Sequence, residues 1–440
     1  MNWLIHPSTH LHGIVTVPGD KSISHRALMH SALAHGTSRI NGFLHAGVTD
    51  AMLRCVRDLG VTVDMDRDAL IVHGGLFSPP SHALDCGNSG GTIRLLMGAL
   101  AGQRDLIATL DGSSSLRRRP MKRVTEPLRL MGAEIVDDVP PIHLSGRELH
   151  GIDYTLPVAS AQVKAALLLA ALQAEGSTTI HEPGPSRDHS ERLLKAIGLS
   201  IEARDHTVTL SPQHRSLRPF EIDVPGDMSS AAFLLAVAAI TPRSEVTIQS
   251  VGVNPTRTGL LDALIQMGAE IEIFNQYEAN CEPIADMTVR SSELRSITVD
   301  GEWVVRMIDE FPILAVLATQ AHGETIVRDA AELRVKESDR IGSLVSELRK
   351  LGAHIEERAD GFVIDGPTRL RGAMVDSHGD HRLAMSLAIA GLIADGETTI
   401  LNAEAYRESF PNFVELMRGL RETSSSGRLG DWSIEQLVNW

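Results

Sequence analysis

The chain has 440 residues, 43% of them hydrophobic and 22% charged, which is enough for two large domains or about three average ones and excludes global disorder. Its 41 basic and 56 acidic residues give a net charge of −15, so it carries no electrostatic footprint for wrapping nucleic acid or an anionic membrane. An anionic substrate must therefore be met by a local cationic pocket. Cys55, Cys86 and Cys281 make no disulfide framework and no paired metal-ligand spacing, which fits a reducing, cytoplasmic compartment. The opening MNWLIHPSTHLHG lacks a charged start followed by an apolar run, so no signal peptide is expected. The apolar stretch from Leu383 to Ala394 is too short to span a bilayer and reads as a buried helix.

In chain order, two cassettes recur. LGVTV (59–63), MGAEI (131–135), IGLSI (197–201), MGAEI (267–271) and LGAHI (351–355) each end an apolar helical pattern at a glycine suited to the left-handed C-terminal cap. GTSRI (36–40), GSTTI (176–180), GETIV (323–327) and GETTI (396–400) interleave with them, each opening a β-branched strand after an Ala/Leu-rich helix. The unit reads strand, buried helix, strand, amphipathic helix, strand, strand, at roughly 65–75 residues. About six copies fit before residue 420. Helices this apolar imply helices at the centre with sheets around them. The duplicated phrases VPGDKS (17–22) and VPGDMSS (224–230) mark crossovers, giving one domain of residues 19–226 and a discontinuous one of 1–18 and 227–420. The segment 421–440 reads as an appendage outside the repeats.

Seven polar motifs punctuate this scaffold. PGDKSISHR (18–26) places Lys21, Ser22 and Arg26 at a turn entering a helix, where backbone N–H groups and cations suit an anion. It is not a P-loop, because Asp20 rather than Gly precedes the lysine. CGNSGGTIR (86–94) is a Gly-rich strand-to-helix turn, with Asn88 and Ser89 as candidate caps. LRRRPM (116–121), SAQVK (160–164), SRDHSER (186–192), RVKESDR (334–340) and GDHR (379–382) follow. Singly, each has a dull explanation as a cap or a solvated charge run. Jointly they fall at equivalent places in successive repeats.

The seven motifs, spread over roughly residues 10–415, resemble the EPSP synthases (3-phosphoshikimate 1-carboxyvinyltransferases) of the enolpyruvyl transferase family. The resemblance implies an α/β fold, a two-domain inside-out α/β barrel built from six βαβαββ repeats. It implies a transferase of the shikimate pathway, serving chorismate and aromatic amino-acid biosynthesis. In that reaction the 5-hydroxyl of shikimate 3-phosphate attacks C2 of phosphoenolpyruvate (PEP) and phosphate leaves. No metal or organic cofactor, no nucleic acid, no membrane and a monomer are expected. By the same resemblance Lys21, Ser22, Arg26, Ser160, Ala161, Gln162, Ser186 and Arg187 contact shikimate 3-phosphate, with Lys21 also near PEP. Asp309 and Lys336 close that site from the other domain, and PEP lies against Gly90, Arg119, Gln162, Arg340 and Arg382. Asp309 is implied as the proton acceptor for the attacking hydroxyl and Glu337 as the donor to the PEP methylene, with Lys21 the next catalytic candidate.

Three positions depart from the family's pattern: Gly91 where many relatives have Thr, Glu332 where some have Asn, and Glu408 where some have Lys. Residues 407–408 therefore stay outside the expected site. The rival with the same chemistry, UDP-N-acetylglucosamine 1-carboxyvinyltransferase, typically carries a reactive loop cysteine, but the matching residue here is Ser114. A non-catalytic repeat protein has no need of the Asp309 and Glu337 pair.

Overall fold

A computed structural model describes residues 1–8, 10–211, 217–422 and 434–437. The chain divides into two compact units: a terminal unit (Met1–Pro18, Gly226–Tyr277, Pro283–Trp440) and an inserted unit (Gly19–Pro225, Glu278–Glu282). The division differs from the expected boundaries at Gly226 and at the hairpin tip 278–282. That tip joins the inserted unit because Glu282 pairs with His189 at 2.7 Å and the Cys281 carbonyl accepts from Arg192 at 2.7 Å.

Each unit repeats one architecture three times. In the inserted unit the helices Lys21–Leu33, Gly90–Ala101 and Ala161–Ala171 are buried nearly all round. In the terminal unit Met228–Ile240, Phe311–Ala318 and His381–Ile393 hold that place. Such helices form a centre because they have no polar face to turn to water. The approach is close: a Cβ at Gly98 would sit 2.1 Å from the Ala166 carbonyl oxygen of the neighbouring helix, so only glycine fits there. Each central helix has an amphipathic partner, such as Gly47–Asp58 and Lys122–Leu130 in the inserted unit and Arg340–Lys350 in the terminal one.

Around these helices lie four-stranded sheets, three to a unit. The pattern is one parallel pair followed by antiparallel pairs. Leu84–Asp85 runs parallel to Ile107–Asp111, which pairs antiparallel with Ile142–Ser145, which in turn pairs antiparallel with Glu134–Ile135. The inserted unit closes on itself when Glu221–Asp223 pairs with Gly36–Asn41. The terminal unit closes through residues 1–18: Asn2–Ile5 pairs with Thr398–Leu401, and His12–Thr16 with Glu245–Gly252. Ile434–Leu437 pairs with Asn2–Ile5, so this part of the tail lies in a sheet and is not an appendage. The rest of the tail, 423–433 and 438–440, lies outside the described residues.

The cassette glycines Gly60, Gly132, Gly198, Gly268 and Gly352 all have φ between 83° and 110°, the left-handed cap that lets a helix end and a strand begin within a few residues. Each unit has its own apolar cluster, one running from Ile23 to Val224 and the other joining Trp3 and Ile5 to the segment from Met228 onward. Among the described residues no helix is long and apolar enough to cross a membrane.

Candidate active site

In the inserted unit the three central helices start side by side. Their caps are Asp20, Ser89 and Ser160, whose side chains accept from the N–H groups of Ile23, Thr92 and Val163. Each start carries the partial positive charge of exposed N–H groups, and together they favour an anion. Side chains tie the three starts together. Arg26 donates from Nε to Ser190 Oγ at 2.7 Å and from Nη2 to the Ala161 carbonyl at 3.1 Å. Arg94 donates to Gln162 Oε1 at 2.5 Å. His25 faces the Lys21 carbonyl with Nδ1 at 2.7 Å, and its Nε2 lies 3.3 Å from the hydroxyls of Ser89 and Thr92.

Lys21, Ser22, Arg26, Gly90, Ser160, Ala161 and Gln162 thus share one end of the helix trio. Ser186 and Arg187 lie on the loop before the His189–Ala196 helix, with Ser186 buried. Of the arginine run, Arg117 and Arg118 are exposed and Arg117 pairs with Asp111. Arg119 turns inward, only 8% exposed, with Nη2 3.5 Å from Asn88 Oδ1. A Cβ at Gly90 would lie 3.1 Å from Arg119 Nη1, which places that loop against Arg119. At Gly91 a Cβ would make ordinary van der Waals contact with His25 and Gln162, at 3.7 and 3.8 Å, so the position tolerates a side-chain carbon. Burial lowers the Arg26 guanidinium to about 10, with Glu191 and Asp20 opposing the shift.

The terminal unit gathers a second cluster around Arg340. This guanidinium, 1% exposed, donates from Nε to Asp380 Oδ2 at 2.8 Å and from Nη2 to Glu337 Oε2 at 2.6 Å. Its Nη1 lies 3.4 Å from Asp309 Oδ1. Burial opposes its charge, but Asp380, Glu337 and Asp309 outweigh burial and raise its pKa. Three carboxylates on one guanidinium hold Asp309 and Glu337 near each other although they are far apart in sequence. Lys336, partly buried beside them, has its ammonium lowered by burial, with Asp309 and Glu332 pulling the other way. Arg382, at the start of its helix, donates to the Ser229 carbonyl at 3.2 Å and lies over the Phe233 ring at 5.9 Å.

Asp380 caps the Arg382 helix and holds Arg340, and sequence reasoning missed it. Its signal was the acidic residue at a helix start inside GDHR. His25 and Arg94 sit within quoted motifs but were not assigned to the site. Arg407 is exposed, with its guanidinium over the Tyr406 ring at 5.7 Å. Among the described residues no group of three or more His, Cys, Asp or Glu side chains is placed to hold a metal ion.

Residues 5–417 match the family model for EPSP synthase (3-phosphoshikimate 1-carboxyvinyltransferase). The chain is 50% identical over 431 residues to the 3-phosphoshikimate 1-carboxyvinyltransferase of Thermodesulfovibrio yellowstonii, covering 96% of this chain and 100% of that one. It is 46% identical over 422 residues to the protein of the same name from Bacillus subtilis, covering 94% and 98%. Among solved structures, EPSP synthase from Acinetobacter baumannii superposes with a TM-score of 0.85 at 42% identity, covering 95% of this chain and 98% of that one.

Proposed function

The chain belongs to the EPSP synthase (3-phosphoshikimate 1-carboxyvinyltransferase) family, and from that premise we propose how its two polar clusters divide the work. The enzyme transfers the enolpyruvyl group of PEP to the 5-hydroxyl of shikimate 3-phosphate, giving 5-enolpyruvylshikimate 3-phosphate and phosphate, in the shikimate pathway to aromatic amino acids. The helix starts of the inserted unit hold shikimate 3-phosphate through Lys21, Ser22, Arg26, Ser160, Ala161, Gln162, Ser186 and Arg187. Arg119 and the Gly90 turn, with Arg340 and Arg382, hold PEP, and Lys336 adds a contact to shikimate 3-phosphate. Arginine suits this task, because its planar fork binds a carboxylate or phosphate through two parallel hydrogen bonds.

Asp309 takes the proton of the 5-hydroxyl as its oxygen bonds to C2 of PEP. Glu337 gives a proton to C3, so the methylene becomes a methyl group while the C2–O bond forms. The C2–O bond to phosphate then breaks, C3 returns its proton to the Glu337 carboxylate to restore the vinyl group, and the proton taken up by Asp309 leaves with the phosphate. The observation that supports this pairing is the buried Arg340, whose guanidinium reaches both carboxylates. The cation favours loss of the Glu337 proton, because it stabilises the carboxylate that remains, and it holds Asp309 ionised until the hydroxyl proton arrives.

The test is phosphate release. Inorganic phosphate should appear only when PEP and shikimate 3-phosphate are both present. Release with UDP-N-acetylglucosamine in place of shikimate 3-phosphate would move the assignment to the other enolpyruvyl transferase. We further propose a cytoplasmic monomer, for which light scattering during size-exclusion chromatography should give one chain's mass.

A further inference from the structure

We propose that Lys164 is a positioning residue for the phosphate of shikimate 3-phosphate, acting through Glu182 on the Ser186 hydroxyl. The inference rests on the placement of Ser186 in that substrate's site proposed above.

Lys164 is the one charged residue of the Ala161–Ala171 helix, and its side chain is 1% exposed. A helix that needed only to pack would carry leucine there, since a buried ion pair is a weak source of stability compared with apolar packing. Its Nζ lies 2.6 Å from Glu182 Oε2 and 2.6 Å from Glu191 Oε1. One ammonium therefore faces two buried carboxylates. Among the described residues Glu191 Oε2 has no hydrogen-bond partner, and burial raises the pKa of that carboxyl.

The second oxygen of Glu182, Oε1, accepts the hydroxyl proton of Ser186. Ser186 owns a single O–H donor. To donate to a phosphate oxygen it must turn away from Glu182, and the carboxylate left behind would then compete for that proton and repel the phosphate. The Lys164 ammonium is what neutralises and anchors Glu182 in both arrangements. Glu191 extends the same cation toward Arg26, because it adjoins Ser190, whose hydroxyl accepts from Arg26. Glu191 is also the leading charge that sustains the Arg26 guanidinium against burial.

Lys164→Met leaves two uncompensated carboxylates and risks the fold, so the informative variant is Lys164→Met with Glu191→Gln. It keeps the cluster's net charge at one negative but removes the anchor of Glu182, and every comparison is made in the Glu191→Gln background, so that any effect through Arg26 cancels. Calorimetric titration with shikimate 3-phosphate in the absence of PEP should show the dissociation constant rising roughly tenfold, the scale of a lost hydrogen bond to a charged group. The KM for PEP should stay within about twofold of the parent. Adding Ser186→Ala to the variant should weaken binding no further than Ser186→Ala alone does, since both act through one hydroxyl. An unchanged dissociation constant in the variant, with Ser186→Ala weakening binding by itself, overturns the role of Lys164 and leaves the site intact. Effects that simply add assign Lys164 to another route and overturn it as well. If Ser186→Ala binds normally, the placement of Ser186 in the site falls, and the inference falls with it.

Discussion

Replacing Glu337 by Gln removes a titratable proton while keeping the side chain's size and an oxygen for Arg340 Nη2, now 2.6 Å away. The stability consequence can be worked from the cluster. Arg340 faces Asp309, Glu337 and Asp380, so the substitution takes these four groups from a net charge of two negative to one negative where Glu337 is ionised, and leaves it at one negative where Glu337 carries the proton it donates. Asp380, which is fully buried, keeps its bond to Arg340 Nε. Relief of like charge offsets the weaker hydrogen bond, and the melting temperature should stay within about 2 °C of the parent. Turnover is another matter. A positioned general acid contributes roughly two to four orders of magnitude. The kcat with both substrates saturating should fall at least about 100-fold, a barrier increase of about 2.7 kcal/mol. The assay is steady-state phosphate release, with calorimetric binding of shikimate 3-phosphate as control for an intact site. Near-normal turnover would refute Glu337 as the proton donor, and Lys21 would be next to test.

Asp309→Asn should slow turnover and also weaken shikimate 3-phosphate, because the carboxylate is proposed to hold the attacking hydroxyl directly; a binding constant equal to the parent's would separate it from that hydroxyl. Arg340→Met strands the fully buried Asp380 and should cost about 3–5 kcal/mol in urea unfolding, with an undiminished midpoint counting against the three-carboxylate cluster. Gly90→Ala places a methyl 2.6 Å from Arg94 Nη1 and 3.1 Å from Arg119 Nη1, so both guanidinium ends must shift. The KM for PEP should rise several-fold and a phosphonate analogue of PEP should weaken more; equal changes for both would argue against contact at that turn. Burial lowers His25 and His30 to about 4, so the unfolded chain binds more protons than the folded one below its ordinary histidine pKa of about 6.5. Their contribution to stability is present above about 6.5 and is lost as pH falls toward about 4, up to about 4 kcal/mol for the pair by pH 5. His30→Met should remove about half of that slope between pH 7 and 5 in urea titrations, and an unaltered slope would refute the assignment.

The repeat architecture was legible in the sequence because its signals are local. A glycine with positive φ must end each helix before its strand begins, and Gly60, Gly132, Gly198, Gly268 and Gly352 announce those ends by identity alone. Helices without a polar face, such as Met228–Ile240, declare themselves central for the same reason. The seven polar motifs were equally visible, since each is continuous and sits at a helix start or a turn. What the sequence could not decide is which charge meets which. Two arginines of the 117–119 run face solvent and the third turns inward, and nothing in the run itself distinguishes them. Asp380 meets Arg340 across 40 residues, and Glu182 and Glu191 meet Lys164 across 18 and 27. Strand pairing shows the same limit: Asn2–Ile5 lies between Thr398–Leu401 and Ile434–Leu437, so a segment read as an appendage supplies a sheet edge. Periodicity and capping act within a turn or two of the chain, whereas ion pairs and strand neighbours depend on which surfaces the packed helices bring together.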